Sequence, residues 1–286
     1  MPLRFTKMQG VGNDFVVVDG REHMLDWSAL APIVCHRRYG VGADGLLVLS
    51  ETPHADLRMR MFNPDGTEDV CGNGLRCVAR YAVERARIPP SDQLTIEVLN
   101  GVRTVYLSYH SSGEISEIIV DMGPPRFAPP EIPMRASQEP VLRYPLPLPD
   151  GTVLPVTVLS TGSTHAVTFV NALPDNPQFQ TISPMVEHHP LFPERTSLMW
   201  CQITGPAQIS MRIWERGVGE TWGCGTGACA AAVAAILEGR IPRGNAPIHV
   251  HSHGGSLRIQ WMDGQSILMS GPAEFVYEGV WKRILP

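Results

Sequence analysis

Two cysteines in this chain of 286 residues stand in the same short glycine-rich phrase. Cys71 begins Cys-Gly-Asn-Gly and Cys224 begins Cys-Gly-Thr-Gly, and each phrase runs into an apolar stretch. A helix N-terminus carries unpaired backbone N–H groups and the positive end of the helix dipole, so it favours a thiolate. We therefore expect both thiols to lie at helix N-termini and to have a pKa below the usual value of about 8.5.

The other cysteines on these stretches do not suggest a metal site. Cys77 and Cys229 follow the two phrases, and at about 100° per residue neither shares a helix face with the cysteine before it. Neither spacing is that of a zinc pair, so we expect Cys77 and Cys229 to be buried and inert. A nucleophilic cysteine with His165 as its base remains possible, although one nucleophile would not account for two equivalent phrases.

The phrase belongs to a repeat that covers most of the chain. The second copy begins 153 residues after the first, and Gly162–Val167 parallels Gly12–Val17 at a spacing of 150. Two strand-like segments, ending at Phe62 and Trp214, are 152 residues apart. Three pairs at nearly one spacing indicate two copies of one domain.

Each copy is predicted to contain several strands and one helix. Leu75, Val78, Ala79, Ala82 and Val83 have helical spacing, and the run after Cys224 is apolar on every side and should be fully enclosed. The proline-rich stretch 123–149 suggests a crossing between the domains followed by a long loop. Alternating patterns predict strands at 94–98, 104–108, 115–120, 153–159, 248–253 and 256–261.

We expect an α+β fold of two pseudo-symmetric domains. Each would be a barrel-like, mostly antiparallel sheet around a central helix, with the active site in the cleft between the domains. The predicted bounds are 1–122 for the first half and 123–272 for the second, with 273–286 returning to the first half. Within that return, 271–277 has the pattern of a strand.

Two thiols on opposite faces of one carbon are what stereochemical inversion requires. One thiolate removes a proton, and the opposite thiol delivers another to the far face. Two thiolates close together repel, so the pair would hold a single proton between them. The backbone N–H groups of Gly72–Asn73 and Gly225–Thr226 would hold the substrate carboxylate and the charge that develops in the transition state. No lysine stands in a recognisable pyridoxal-phosphate setting, so we expect no cofactor.

Five segments, in order along the chain, resemble those of diaminopimelate epimerases. The resemblance implies a cofactor-independent epimerase that interconverts L,L- and meso-diaminopimelate, in lysine and peptidoglycan biosynthesis. It implies that Cys71 and Cys224 are the two catalytic bases, that His165 and Glu215 assist them, and that Tyr277 lies at a homodimer interface. The segments are Met8–Phe15, Asn63–Glu68, Cys71–Gly74, Phe192–Arg195 and Glu215–Gly227. The substrate contacts that the resemblance implies are Asn13, Asn63, Gly72, Asn73, Glu215, Arg216, Gly225 and Thr226.

The chain departs from the family pattern at positions that would touch the substrate. Ser163 and Ser197 stand where the family commonly has asparagine, and Gly45 stands where some members have glutamine. We still expect both serines to be substrate contacts, but serine is shorter than asparagine and has one donor. Two alternatives therefore stay open: a racemase of the same fold acting on another amino acid, and a non-catalytic amino-acid-binding or redox protein. In the last, Cys71 and Cys224 would form a reversible disulfide.

The composition of the chain restricts the classes of binding partner that we expect. The net charge is −5 with no basic run, which argues against nucleic acid and anionic membranes. The longest apolar run, Ala228–Leu237, is shorter than the roughly 20 residues that span a bilayer, and the first residues lack the apolar stretch of a signal peptide. With six cysteines in 286 residues, we expect reduced thiols in the cytoplasm and a small amino acid as the partner.

Two further patterns are set aside. Gly40–Gly45 matches the dinucleotide-binding fingerprint, but it precedes a strand where that fingerprint requires a helix. His249, His251 and His253 alternate and would share one face of a strand. That arrangement can bind zinc, but a solvated hairpin is the better interpretation, and we expect no metal.

Overall fold

The computed structural model describes residues 2–86, 88–244 and 246–282. The protein has an α+β fold that is mostly sheet, and it divides into two compact units. Unit 1 takes the described residues up to Asp121 together with those from Ser270 onward, and unit 2 is Met122–Met269. The last four residues of the predicted return segment, 283–286, lie outside the described residues. No helix in the described ranges is long and apolar enough to cross a membrane.

The elements of unit 1 come from both ends of the chain. In order they are β1 (Leu3–Gly10), β2 (Asn13–Asp19), α1 (Trp27–Cys35), β3 (Gly45–Ser50), β4 (Leu57–Phe62), β5 (Glu68–Asp69), α2 (Gly72–Glu84), β6 (Gln93–Val98), β7 (Gly101–Tyr109), β8 (Ile115–Asp121) and, near the end of the chain, β18 (Glu274–Trp281).

The elements of unit 2 are contiguous in sequence. They are a 3₁₀ turn (Pro129–Glu131), β9 (Val141–Pro147), β10 (Val153–Ser160), β11 (Thr164–Phe169), α3 (Asn176–Glu187), β12 (Ser197–Gly205), β13 (Gln208–Glu215), β14 (Gly219–Thr221), α4 (Gly225–Leu237), β15 (Ile248–Ser252), β16 (Gly255–Gln260) and β17 (Leu268–Ser270), which ends at the unit boundary.

The two units have the same strand connectivity. In unit 1, β1 and β2 form an antiparallel pair, α1 leads to a parallel β2–β3 pair, and α2 leads from β4 to a parallel β4–β6 pair. Unit 2 repeats these three relationships. Strands β10 and β11 form an antiparallel pair, α3 leads to a parallel β11–β12 pair, and α4 leads from β13 to a parallel β13–β15 pair. The remaining pairings of consecutive strands are antiparallel in both units. This shared order is the structural form of the sequence repeat.

The first strand of the repeat, β1 in unit 1 and β10 in unit 2, pairs on one side with a strand that comes from a different part of the chain in each unit. In unit 2, β9 precedes β10 and pairs with it in antiparallel fashion. In unit 1 the corresponding partner of β1 is β18, with Lys7 opposite Tyr277. The chain therefore completes the sheet of unit 1 with its last described strand.

In each unit the sheet curves around one helix. Helix α2 contacts β1 and β2 as well as β7 and β8, and α4 contacts β10 as well as β16. The residues of α4 from Gly227 to Ile236 are all buried, as the apolar run predicts. Strand β3 is buried along Gly45–Leu49 because it has a helix on each side, which is why it reads as a continuous apolar run.

The prediction of one helix per domain was incomplete. Helix α1 covers the outer face of unit 1 with Trp27, Leu30 and Val34, and α3 does the same in unit 2 with Phe179 and Ile182. Both helices contain an internal proline, Pro32 in α1 and Pro184 in α3, which weakens the sequence signal for a helix. Burial of their apolar faces outweighs that intrinsic cost.

The prediction of a long loop within 123–149 was wrong. Strand β9 occupies Val141–Pro147, and Leu146 and Val141 are fully buried. Pro145 and Pro147 are tolerated because the described ladder of β9 is with β10 alone, so their missing N–H groups interrupt nothing on the other side.

Candidate active site

Cys71 is the N-cap of α2, as predicted. Its backbone is extended, with φ −136° and ψ 116°, and its Sγ accepts a hydrogen bond from the Gly74 N–H at 3.4 Å. A Cβ at Gly74 would come within 3.1 Å of the Leu47 side chain and 3.4 Å of the Cys71 Cβ, so glycine relieves crowding at this position. The glycines of the phrase therefore let the first turn of the helix pack directly beneath the sulfur. The Gly72 and Asn73 positions that follow are buried.

Two asparagines complete the surroundings of Cys71 within unit 1. The Cys71 thiol donates to Asn13 Oδ1 at 3.5 Å, and Asn73 Nδ2 donates to the same oxygen at 3.3 Å. The Asn73 Oδ1 in turn accepts from the fully buried Arg76 at 2.9 Å. We call Cys71, Asn13 and Asn73 the unit 1 cluster.

A charged network lies behind Asn13. Asn13 Nδ2 donates to Asp44 Oδ2 at 2.9 Å, and Arg37 donates to Asp44 Oδ1 at 2.6 Å. Arg37 also donates to Asp14 at 2.7 Å, and buried Lys7 pairs with the same carboxylate. Burial opposes ionisation of Asp14, but the hydrogen bonds from Arg37 and Lys7 outweigh it and lower the Asp14 pKa to about 2.

Asn63 follows β4 and lies in a tight turn. Its N–H donates to the Thr67 carbonyl at 2.8 Å, and its Nδ2 donates to Thr67 Oγ1 at 3.1 Å. Gly66, which closes the turn, has φ +88°, a conformation that favours glycine. Asn63 is thus a turn former in this structure, and its predicted contact with substrate stays a prediction.

Cys224 is the N-cap of α4 in unit 2, with nearly the same geometry as Cys71. Its φ is −127° and its ψ is 111°, and its Sγ accepts from the Gly227 N–H at 3.3 Å. Thr226 Oγ1 lies 3.4 Å from the same sulfur, and the Thr226 carbonyl accepts from Thr161 Oγ1 at 2.8 Å. Gly225 is buried at the first helical position.

The expectation of a lowered pKa was wrong for Cys224. Burial and then the negative charge of Glu215 raise its pKa well above the ordinary value, and they outweigh the hydrogen bonds from Thr226 and Gly227 that favour the thiolate. The helix N-terminus does act in the predicted direction, but desolvation of a thiol that is 7% exposed is the larger effect. Cys224 is therefore a thiol at neutral pH in the free protein.

Glu215 ends β13 and is held facing Cys224. The Cys224 thiol hydrogen-bonds to the Glu215 side chain, and Thr221 Oγ1 donates to Glu215 Oε1 from the neighbouring strand β14. Strands β13 and β14 pair with Glu215 opposite Gly219. We call Cys224, Thr226 and Glu215 the unit 2 cluster.

His165 lies on β11 with 1% of its surface exposed. Burial and then the positive charge of Arg216 lower its pKa to about 3, so the imidazole is neutral near pH 7. Ser163 Oγ lies 3.1 Å from His165 Nε2, and His165 Nδ1 has no hydrogen-bond partner among the described residues. Neutral His165 has one ring nitrogen that donates a hydrogen bond and one that accepts, and it carries no positive charge.

Ser197 and Arg216 meet at the end of the unit 2 sheet. The Arg216 backbone N–H donates to Ser197 Oγ at 3.1 Å, and Arg216 Nη1 donates to the Glu194 carbonyl at 2.9 Å. Ser197 is buried and Arg216 is exposed. Ser197 therefore supports the backbone of Arg216, and its predicted contact with substrate stays a prediction.

Three residues that support these clusters were missed from the sequence. Asp44 lies in the phrase Gly40–Gly45, which was considered only as a nucleotide-binding pattern. Arg76 reads as a polar residue on a helix and Glu187 as one more surface carboxylate, because charged side chains are mostly exposed. The sequence signal that was available for Asp44 is its position directly before the buried strand β3, whereas its contact with Asn13 depends on the pairing of β2 with β3.

The remaining cysteines and the alternating histidines form no metal-holding group among the described residues. Cys77 and Cys229 are fully buried, as expected, and burial raises the Cys77 pKa to about 12. His249 and His251 stack at 6.3 Å on β15, and His251 Nδ1 lies 2.6 Å from Ser256 Oγ. In the part of the chain that the structure describes, no group of three or more His, Cys, Asp or Glu side chains could hold a metal ion.

The sequence matches known proteins over nearly its whole length. The family model described as diaminopimelate epimerase matches residues 5–128 and 157–276. A diaminopimelate epimerase from Desulforudis audaxviator is 46% identical, over 98% of this chain and 100% of that protein. One from Pelotomaculum thermopropionicum is 45% identical, over 97% of this chain and 98% of that protein.

Solved structures with much lower identity share the fold. A probable proline racemase from Agrobacterium radiobacter superposes with a TM-score of 0.72 at 14% identity, covering 99% of this chain and 93% of that one. A protein of the PhzF phenazine biosynthesis family from Bacillus anthracis gives 0.70 at 17% identity, covering 99% of this chain and all of the other. The match to the family model agrees with the relatives that align over nearly their whole length, and with the two cysteine-capped helices. The chain belongs to the diaminopimelate epimerase family.

Proposed function

We propose that this chain is an isomerase that interconverts L,L- and meso-diaminopimelate by proton transfer between Cys71, Cys224 and the substrate α-carbon. One observation carries the proposal: two units of the same connectivity each place a cysteine as the N-cap of their enclosed helix. The Sγ–N distances to the third helical residue are 3.4 Å and 3.3 Å. The names of relatives that are 45% and 46% identical support the substrate.

The chemistry requires one thiolate and one thiol. The thiolate takes the α-proton, and the thiol of the other cysteine gives its proton to the opposite face of the carbanion, so each turnover leaves the pair with its proton exchanged. Burial and Glu215 keep Cys224 protonated in the free protein, so in the direction in which Cys224 donates, the Cys71 thiol must first give up the proton that it donates to Asn13 Oδ1. The reverse direction needs the opposite protonation state of the two cysteines, and one turnover in the forward direction produces that state.

The groups around the sulfurs supply the electrostatics. The first-turn N–H groups at Gly72–Asn73 and Gly225–Thr226 point out of their helices and favour negative charge, which suits the substrate carboxylate and the developing enolate. A donor of this type contributes about 3–4 kcal/mol to a transition state. Exposed Arg216 offers a forked donor for the carboxylate at the far end of diaminopimelate, and Asn13 and Asn63 are further proposed contacts.

The test is exchange of the α-proton in heavy water. We expect L,L-diaminopimelate to gain deuterium at the α-carbon as the meso form appears, and Cys71→Ala and Cys224→Ala each to abolish this inversion. Cys77→Ala and Cys229→Ala are the matched controls, since they remove a thiol from the same two helices, and they should retain inversion. Inversion by either active-site variant at the wild-type rate would refute the proposal.

The same assay separates the alternatives. Exchange with another amino acid and none with diaminopimelate would favour a racemase of the same fold. Folded protein that exchanges no amino acid, but whose Cys71 and Cys224 oxidise reversibly to a disulfide, would favour the thiol redox protein.

We also propose a homodimer formed through β18, and a cytoplasmic location. In unit 1, β18 carries Val276, Tyr277 and Val280 with 56%, 46% and 44% of their surface exposed. Exposed apolar side chains on a strand whose described ladder is with β1 alone offer a suitable surface for a second copy. The free cysteines of the chain support a reducing compartment.

A further inference from the structure

We propose that Asp44 is a positioning residue that fixes the side-chain amide of Asn13, so that its oxygen, and not its NH₂ group, faces Cys71. The inference rests on the proposed role of Cys71 in proton transfer. It concerns a residue that touches neither the sulfur nor a proposed substrate contact other than Asn13.

The hydrogen bonds of Asn13 define its orientation. Its Nδ2 donates to Asp44 Oδ2 at 2.9 Å, while its Oδ1 accepts from the Cys71 thiol at 3.5 Å and from Asn73 Nδ2 at 3.3 Å. An ionised carboxylate only accepts hydrogen bonds, so it pairs with the NH₂ end of an amide and not with the oxygen end. Asp44 therefore selects one of the two orientations that an asparagine amide can take.

Asp44 is itself firmly held. Arg37 donates to its other oxygen at 2.6 Å, and the Asp14 N–H donates to Oδ2 at 3.1 Å. The Asp44 N–H donates back to the Asp14 carbonyl at 2.8 Å. These contacts fix both the backbone and the carboxylate, so the direction of the Asn13 amide is set before any ligand binds.

The orientation decides which form of Cys71 is favoured. An amide oxygen accepts from a thiol and stabilises it, whereas an amide NH₂ would donate to a thiolate and stabilise that form instead. The charged groups around this network are Lys7 on β1, Asp14 on β2, Arg37 after α1 and Arg76 on α2. With Asn13 Oδ1 held as the acceptor, the thiol proton of Cys71 stays directed at Asn13 until substrate displaces this hydrogen bond.

The experiment measures how fast iodoacetamide alkylates Cys71 in the full chain from pH 6 to pH 10, with peptide mass spectrometry to assign the site. In Asp44→Asn the new amide can donate as well as accept, so inversion of the Asn13 amide is then opposed only by the longer contact with Asn73 Nδ2, and the inverted amide presents its NH₂ to the sulfur. We expect the midpoint of the alkylation profile to move to lower pH, with about tenfold faster alkylation at pH 7.

A double-mutant cycle shows whether the effect passes through Asn13. In an Asn13→Ala background there is no amide to turn, so adding Asp44→Asn should leave the alkylation profile unchanged. Asp19→Asn is the matched control, because Asp19 lies on the same strand as Asn13 and is paired with Arg21 at 2.6 Å, but does not contact Asn13. Its profile should match that of the wild type.

Two outcomes would overturn the inference: an Asp44→Asn profile equal to the wild type, or a shift that persists in the Asn13→Ala background. Because 41% of the Asp44 side chain is exposed, we expect the variant to fold. If it does not, Asp44→Ser, which also both donates and accepts, takes its place in the same cycle. Alkylation requires no turnover, so a protein that inverts no diaminopimelate but shows the predicted shifts would count against the proposed function alone.

Discussion

The buried carboxylate of Glu187 accepts a hydrogen bond from the Gly217 backbone N–H at 2.8 Å. Its other oxygen accepts from Trp214 Nε1 at 2.7 Å, and Arg195 Nη1 donates at 3.2 Å to the oxygen that binds Gly217. Burial opposes ionisation of Glu187, but these partners outweigh it and lower its pKa. The last turn of α3 thus holds the segment that carries Glu215 and Arg216, at the side of unit 2 where Cys224 lies.

Glu187→Gln should loosen this segment. The glutamine side chain has one acceptor oxygen and no charge, so either the Trp214 or the Gly217 donor loses a hydrogen bond to a charged group, which contributes about 1.5–3 kcal/mol. We expect a lower free energy of unfolding in urea and a higher KM for diaminopimelate. Glu194→Gln, the same change at an exposed position, should alter neither. Equal stability of both variants and the wild type would contradict this assignment.

Glu215→Gln should make Cys224 more reactive. Because the Glu215 charge raises the pKa of Cys224, its removal should lower that pKa, although burial will keep it above the ordinary value. Alkylation of Cys224 at pH 8 is expected to become about three- to tenfold faster. Glu220→Gln is the control, since Glu220 lies on the same strand pair but is bound to Arg212 at 2.7 Å. Slower alkylation of Cys224 in Glu215→Gln would show that the sign is wrong.

Neutral His165 makes the protein sensitive to acid. Its folded pKa of about 3 lies below the unfolded value of about 6.5, so the unfolded chain binds the extra proton between these values and stability falls as pH drops below 6.5. At pH 4.5 the loss from this group is about 2–3 kcal/mol. His165→Asn should therefore lose less stability than the wild type between pH 7 and pH 4.5, as measured by urea unfolding. The exposed control His253→Asn should follow the wild type; if His165→Asn does so too, His165 is not buried as a neutral base.

Gly227 leaves room for the sulfur of Cys224. A Cβ at this position would lie 2.5 Å from Met199 Sδ and 3.3 Å from Cys224 Sγ. In Gly227→Ala, overpacking of about 1–3 kcal/mol outweighs the gain in helix propensity, so we expect a lower melting temperature and slower inversion. At Gly244 an added Cβ meets nothing within 4 Å, and Gly244→Ala should leave both unchanged. A Gly227→Ala protein as stable and active as the wild type would mean that the first turn of the helix can accommodate a Cβ at this position.

Tyr277 tests the proposed dimer. It lies edge-on to Phe5, with ring centroids 6.0 Å apart, and still exposes almost half of its surface. A carboxylate buried there in a dimer would be unpaired, so Tyr277→Asp should give a monomer by light scattering. Tyr106→Asp, at another exposed tyrosine of unit 1, should keep the mass of the wild type. A wild-type mass for Tyr277→Asp would place the interface elsewhere.

Features that depend on neighbouring residues could be predicted from the amino-acid sequence alone. A glycine-rich phrase before an apolar run is a local signal, and it correctly placed Cys71 and Cys224 as N-caps of α2 and α4. The repeat of that phrase identified the duplicated connectivity, and the residue motifs identified the family. Alternation likewise located most of the strands, because side chains on successive strand positions face opposite sides of the sheet whatever lies beyond them.

Features that depend on groups distant in the chain follow from the way the sheets and helices pack. Helices α1 and α3 and strand β9 contain prolines that weaken the local signal, and burial against the sheets stabilises them. The same holds for electrostatics: a helix N-terminus lowers the pKa of a thiol, but the burial of Cys224 and the approach of Glu215 reverse the sign. Asp44 meets Asn13 only because β2 and β3 pair side by side. Burial and strand pairing depend on residues from many parts of the chain, whereas helix capping and hydrophobic periodicity are properties of a few consecutive residues.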